Sequence, residues 1–249
     1  MTRAAYFGYF RTMHDEPPMS RVGALIGSPA RALILTELFD GRALTATELA
    51  SVASVSPATA SEHLGLLLAG GLVTREKSGR HSYYRLASPE IASALEQLAV
   101  QTANVGSAAK SIRKTLTRTP IQSARMCYDH IAGRLGVSIA DALLKKGALI
   151  ALDTDYELTP EGEMLFESWG INPTDLRRSK RVFAQQCLDW SERRHHVSGA
   201  VGAALAKLAL EKGWIARAKE RRVLVVTPFG QRELKTHLGI SYDQVEKRA

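Results

Sequence analysis

Two cysteines and two histidines in the second half of this 249-residue chain carry the side chains best suited to chemistry. Cys127-Tyr-Asp129 and Cys187-Leu-Asp189 each lie just upstream of a His-x-x-Gly-x-x-Gly run, His130 to Gly136 and His196 to Gly202. In the first copy Cys127 and His130 stand three apart, a spacing that predicts one helix face. In the second, Trp190 to His195 intervene before His196. If the copies face each other, Cys127, His130, Cys187 and His196 converge. Two thiolates with one or two imidazoles suit a soft or borderline metal ion, and a close thiol pair suits redox or electrophile sensing. Two other readings stay open: cysteines that only fill space, and an organic-effector pocket nearby. No cofactor is required by any of these. The sequence has no G-x-S-x-G, no H-E-x-x-H, no phosphate-binding loop and no Gly-rich nucleotide turn. A Cys/His pair without a recognisable oxyanion site does not make a catalyst, so a non-enzyme is expected.

A second set of residues has the chemistry of DNA contact. Ser56, Ala58, Thr59, Ser61 and His63 are short or polar and lie at the start of an amphipathic segment. Arg75, Lys77, Arg80, His81 and Tyr83 follow on a basic, Gly-containing stretch, with Arg85 beyond and Glu76 among them. The first group is expected to position or read, the second to hold the backbone or minor groove.

The elements that must present them are legible from caps and stripes. Thr45 and Glu48 have the spacing of a capping box, and Leu49, Val52 and Ala53 give the following helix its apolar face. After a turn from Ser54 to Pro57, Ser56 caps a second helix with Pro57 at its first position. Ala60, Leu64, Leu67 and Leu68 form its inward stripe, and Gly70-Gly71 stops it. Leu72-Val73 and Tyr83 to Leu86 read as two short strands around the tip Glu76 to Arg80. Upstream, Val22 to Ile26 reads as a short helix. Ser28 is expected to cap the next, with Ile34, Leu35, Leu38 and Phe39 inside. Ser88-Pro89 opens a helix with Ile91, Leu95 and Leu98 in register, a candidate for dimerisation or for packing on the C-terminal half.

The run from Gly27 to Ala87, carrying TATELA, SPATASEHLGLLLAGGLV and GRHSYYRL, resembles the ArsR/SmtB family of bacterial transcriptional regulators over about residues 21–100. The resemblance implies a homodimeric winged-helix repressor that an effector, often a soft metal or thiol-reactive compound, releases from double-stranded DNA. Family metal sensors often carry Cys-x-Cys ligands in the helix before the recognition helix, or Asp/His/Glu ligands on the terminal helix. Here Glu48 to Ser54 has no cysteine and Ser88 to Val100 no histidine, so both common sites are absent.

Beyond the reader half the chain shows an internal duplication. His130-Ile-Ala-Gly133 reappears as His196-Val-Ser-Gly199, and Leu158-Thr-Pro-Glu-Gly162 as Val226-Thr-Pro-Phe-Gly230. Each copy is expected to run helix, strand, turn, strand, then a helix entered through Thr-Pro-x-Gly. The fold expected is mainly α with short β-hairpins (α+β): a winged helix-turn-helix plus two tandem helix–hairpin–helix, winged-helix-like repeats around a shared core. The expected divisions are a tail at 1–18, the reader domain at 19–100, a basic linker or linker helix at 101–125 and a duplicated domain at 126–249. The repeats fall at about 126–172 and 186–241.

Bulk properties agree with a cytoplasmic DNA-binding protein. The net charge is +8 and hydrophobic residues make up 45%. Residues 21–100 hold 7 Lys/Arg against 7 Asp/Glu, whereas 101–125 hold 5 basic and no acidic residues, with Lys110, Arg113, Lys114 and Arg118 placed to flank DNA or to face solvent. Two cysteines fit a reducing compartment, and the absence of an 18-residue apolar run predicts no membrane span. The alternative reading is a winged-helix module that binds protein rather than reading DNA sequence.

Overall fold

The computed structural model describes residues 19–79, 81–106 and 119–241. The expected tail at 1–18, Arg80 and the basic residues Lys110 to Arg118 lie outside them.

The first half builds on helix caps. The described residues open with α1 (Met19–Ile26) and α2 (Pro29–Glu37), which tightens into a 3-10 turn at Leu38–Asp40. Ser28 occupies the N-cap of α2 but makes no side-chain cap bond; Pro29 at the first position starts the helix instead. Strand β1 (Leu44–Thr45) leads into α3 (Ala46–Ala53), where Thr45 and Glu48 form the reciprocal capping box. Ser54 ends α3 in the left-handed conformation, and Ser56 accepts from the Thr59 N–H to cap α4 (Pro57–Ala69). Ile34, Leu35, Leu38, Leu49, Leu64 and Leu67 are all buried in one core, each contributing about 1.5–3 kcal/mol by leaving water.

The wing is longer than the sequence suggests: β2 (Val73–Ser78) pairs antiparallel with β3 (His81–Leu86), and β1 adds to the other edge of β3. Polar strand residues that the apolar pattern excludes are held by the ladder itself. In α5 (Pro89–Gly106), the inward face differs from the expected stripe. Ala92 and Glu96 are buried, Ile91 and Leu95 half-buried, and Leu98 is 46% exposed. A buried carboxylate pulls this face toward its partners in the second half.

That half contains the order hairpin, helix, hairpin, helix twice. After α6 (Pro120–Ser123) come β4 (Arg125–Cys127), β5 (His130–Ala132), α7 (Gly133–Lys145), β6 (Leu149–Ala151), β7 (Tyr156–Leu158) and α8 (Pro160–Ser168). A short α9 (Pro173–Arg177) leads to β8 (Gln185–Leu188), β9 (His195–Ser198), α10 (Gly199–Glu211), β10 (Ile215–Arg217), β11 (Leu224–Val226) and α11 (Pro228–Leu238). Thr159 and Thr227 cap α8 and α11 through the N–H groups of Gly162 and Gly230, as Thr-Pro-x-Gly predicts. Packing is reciprocal: α7 lies on β9, α10 lies on β5, and β5 and β9 meet. Leu135, Leu143, Phe166, Trp169, Val201 and Trp214 share one core.

Two expectations fail here. Cys127 and His130 are not on a helix: they pair across the β4–β5 hairpin, whose two-residue turn holds Tyr128 at φ 57. Arg125 is not part of a solvated linker but fully buried, because β4 begins there and Asp189 awaits it.

Candidate nucleic-acid interface and metal centre

At the start of α4, Ser56, Ala58 and Ser61 are exposed and Thr59 is half-buried. The Ser56 and Thr59 hydroxyls lie 2.9 Å apart, and the Ser61 hydroxyl donates to the Pro57 carbonyl at 2.9 Å. The helix therefore begins with a small, polar, internally satisfied surface that can approach another molecule closely. His63 turns back instead: its Nδ1 lies 3.3 Å from a guanidinium nitrogen of Arg31 on α2.

The wing's ladder sorts its residues by face. Arg75 stands opposite Tyr84 and Lys77 opposite Ser82, whereas Glu76 stands opposite Tyr83 and Ser78 opposite His81. Side chains alternate along a strand, so Arg75 and Lys77 share one face and His81 and Tyr83 the other. The His81 and Tyr83 rings meet edge-on at 6.4 Å. Arg85 pairs with Glu76 at 3.4 Å on the surface, which adds little stability.

In the second half the four remaining candidates come together. One ligand atom each from Cys127, His130, Cys187 and His196 lies within 4.8 Å of the others, and all four residues are buried. The register explains it: Cys127 opposes His130 across β4–β5, and Cys187 opposes His196 across β8–β9. The six residues Trp190 to His195, which spoil the match in sequence, fall in the second hairpin and leave its register unchanged. The two hairpins then meet, with His130 Nε2 and His196 Nε2 3.1 Å apart.

Glycines make this meeting feasible. A Cβ on Gly136 would stand 2.3 Å from the Ile131 carbonyl and 3.3 Å from the His196 Cβ. On Gly202 it would stand 2.3 Å from the Val197 carbonyl and 3.2 Å from the His130 Cβ. The second glycine of each His-x-x-Gly-x-x-Gly run thus lets its helix seat on its own hairpin and against the Cβ of the other copy's histidine.

Each imidazole has an aspartate behind it, supplied by the Cys-x-Asp triplets, whose acid is visible in the sequence without an evident role. His130 Nδ1 lies 3.5 Å from Asp129 Oδ1, and His196 Nδ1 lies 3.5 Å from Asp189 Oδ2. Asp129 also pairs with Arg181 at 2.6 Å. Asp189 takes Arg125 at 2.9 Å and the Gly133 N–H at 2.6 Å. Burial opposes ionisation of Asp189, but Arg125 and His196 outweigh it and hold its carboxyl at about 2. Burial, then the neighbouring His130, keep His196 well below the ordinary imidazole range. The neighbouring Cys187 thiol, then burial, push the Cys127 thiol well above its usual range.

Glu96, on α5 of the first half, escapes a reading of that helix by its apolar stripe alone. It accepts from the Cys127 thiol and from Arg222, the latter at 2.7 Å. Burial pushes its carboxyl up, but Arg222 and Cys127 outweigh that and hold it below the usual range. Arg222 also donates to the Met126 carbonyl at 2.9 Å and lies over the Phe39 ring. The β4–β5 turn itself docks on the winged half, the Tyr128 N–H donating to the Phe39 carbonyl. Gly41 packs so close that a Cβ there would stand 2.7 Å from the Tyr128 carbonyl oxygen.

A family model described as a helix-turn-helix domain matches residues 26–76. Over 227 residues the chain is 41% identical to the uncharacterised HTH-type transcriptional regulator YdfF of Bacillus subtilis (strain 168), covering 90% of this chain and 99% of YdfF. Among solved structures, reduced HlyU from Vibrio cholerae N16961 is 30% identical, over 32% of this chain and 83% of its own, with a TM-score of 0.30. The homodimeric winged helix-turn-helix domain of Mb0332 from Mycobacterium bovis, a possible ArsR-family regulator, is 24% identical. It covers 41% of this chain and 100% of its own, with a TM-score of 0.35.

Proposed function

The chain belongs to the helix-turn-helix transcriptional regulators, a non-enzymatic DNA-binding family, and on that premise we propose a homodimeric, cytoplasmic, one-component repressor. Its α4 enters the major groove, its wing holds the flanking backbone or minor groove, and its C-terminal half senses the effector that releases it. The observation that carries this reading is the start of α4. A capped helix N-terminus with exposed Ser56, Ala58 and Ser61 offers N–H groups to phosphate and short side chains to base edges. Arg75 and Lys77 add phosphate contacts from one face of the wing, which matters because residues 21–100 carry no net charge. Exposed Met19 and Val22 on α1 leave apolar side chains of the winged half for a second copy. A twofold dimer would place its half-sites about 34–36 Å apart on one DNA face.

Changing Thr59 and Ser61 together to Ala tests the assignment. Affinity for the specific site is expected to fall by roughly tenfold or more, while salt-dependent nonspecific binding stays within about twofold. Equal loss of both would count against α4 as the reading element and favour a protein-interaction module.

A further inference from the structure

We propose that Cys127, His130, Cys187 and His196 form a closed four-ligand site for a soft or borderline divalent metal ion of the Zn²⁺ type, and that through this site the C-terminal half controls the winged half. The second clause rests on the regulator reading; the first does not.

Four features of the cluster point to a metal. The donors are two sulfurs and two imidazole nitrogens, the set that prefers Zn²⁺, Cd²⁺ or Co²⁺ in tetrahedral geometry over Mg²⁺ or Ca²⁺. A tetrahedral Zn²⁺ site has ligand–ligand edges of about 3.3–3.8 Å, given Zn–N near 2.0 Å and Zn–S near 2.3 Å. The cluster, spanning no more than 4.8 Å with its imidazole nitrogens at 3.1 Å, needs only a small adjustment to reach it. Each imidazole aims Nε2 inward and sets Nδ1 3.5 Å from an aspartate, the outer-shell arrangement that orients metal-binding histidines. Finally, the buried His196 Nδ1 has no hydrogen-bond partner, and metal on Nε2 would place the proton on Nδ1 toward Asp189.

Position argues for control. Cys127 and His130 flank the Tyr128-Asp129 turn, and the Tyr128 end of that turn is hydrogen-bonded to Phe39 in the 3-10 turn after α2. The Cys127 thiol is also bound to Glu96 of α5, which Arg222 shares. Coordination replaces the thiol proton by the metal and releases it to solvent, so Cys127 can no longer donate to Glu96. Drawing the two hairpins onto one ion thus acts on two of the attachments of the winged half, the Tyr128–Phe39 hydrogen bond and the Glu96 carboxylate. The ligands lie in the C-terminal half, away from the helix positions used by family metal sensors.

The test uses the full-length, reduced protein, stripped with a chelator and titrated with Co²⁺ and then Zn²⁺. Expected are one Co²⁺ per chain, the intense visible bands of tetrahedral Co²⁺, a sulfur-to-cobalt charge-transfer band, and displacement of all three by Zn²⁺. Cys187→Ser should weaken the charge-transfer band, and Asp129→Asn should lower affinity about 10–100-fold while keeping a tetrahedral spectrum. A folded wild-type protein showing no such bands overturns the site, with no variant needed. Bands undiminished in Cys127→Ser and Cys187→Ser would do the same. In the DNA arm, Zn²⁺ should lower wild-type affinity for DNA upstream of its own coding sequence by about 5–150-fold, and the effect should vanish in Cys187→Ser. Metal uptake with unchanged DNA affinity overturns the control clause. Failure of the metal-free wild type to prefer its upstream DNA counts against the regulator reading alone, since the cobalt spectrum is read without DNA.

Discussion

Glu48 closes the start of α3: its carboxylate accepts from the Thr45 N–H and hydroxyl, both at 2.7 Å. Those bonds, the backbone one first, hold its carboxyl below the ordinary 4.5. A depressed carboxyl stabilises the folded state fully above its unfolded value and loses that contribution as pH falls through the folded one. Glu48→Ala is therefore expected to lower stability by about 0.3–1.5 kcal/mol at pH 7. The gap to wild type should close as denaturation is repeated at pH values falling below 4.5; a gap independent of pH would assign the loss to something other than the carboxylate. This cap is readable because its two residues sit three apart. The buried Glu96 is not, since its partners Cys127 and Arg222 are 31 and 126 residues away. No local pattern encodes them.

Among the elements, the same spacing has two meanings. Residues i and i+3 are neighbours on a helix, and they are also neighbours across a two-residue hairpin turn. Cys127 and His130 are the second kind. The deciding signal lies in the other copy: Cys187 and His196 are nine apart, which a hairpin tolerates by lengthening its loop and a helix cannot. The α3–α4 pair is more legible because its caps, the α4 stripe and the glycine stop agree locally. Glycines show why context decides. Gly65 lies inside α4 with nothing within 4 Å of the place a Cβ would take, whereas one on Gly202 in α10 would press on the Val197 carbonyl at 2.3 Å. Gly65→Ala should raise stability by about 0.5–1 kcal/mol, and Gly202→Ala should lower it by about 1–3 kcal/mol. Chemical denaturation of both variants checks the pair; a Gly202→Ala protein as stable as wild type would mean the helix and hairpin do not pack that closely.

Across the whole molecule, the two halves are joined by charge as well as by the hairpin turn. Glu37 pairs with Arg221, Asp40 lies 3.9 Å from Arg217, and Glu96 meets Arg222. These acids belong to the winged half and the arginines to the β10–β11 region, so a reader half of zero net charge still has a defined seat on its partner. Among the described residues no single helix is long and apolar enough to cross a membrane. The resulting picture is a DNA-binding half held by the hairpins that carry the proposed metal ligands. Equilibrium binding of the full-length, reduced, metal-free protein is the decisive measurement. Two duplexes of equal length would be compared at one salt concentration: DNA upstream of its own coding sequence, and the same bases scrambled. A sequence-reading α4 predicts a preference for the upstream duplex of about a thousandfold or more. Equal affinity for the two would contradict it.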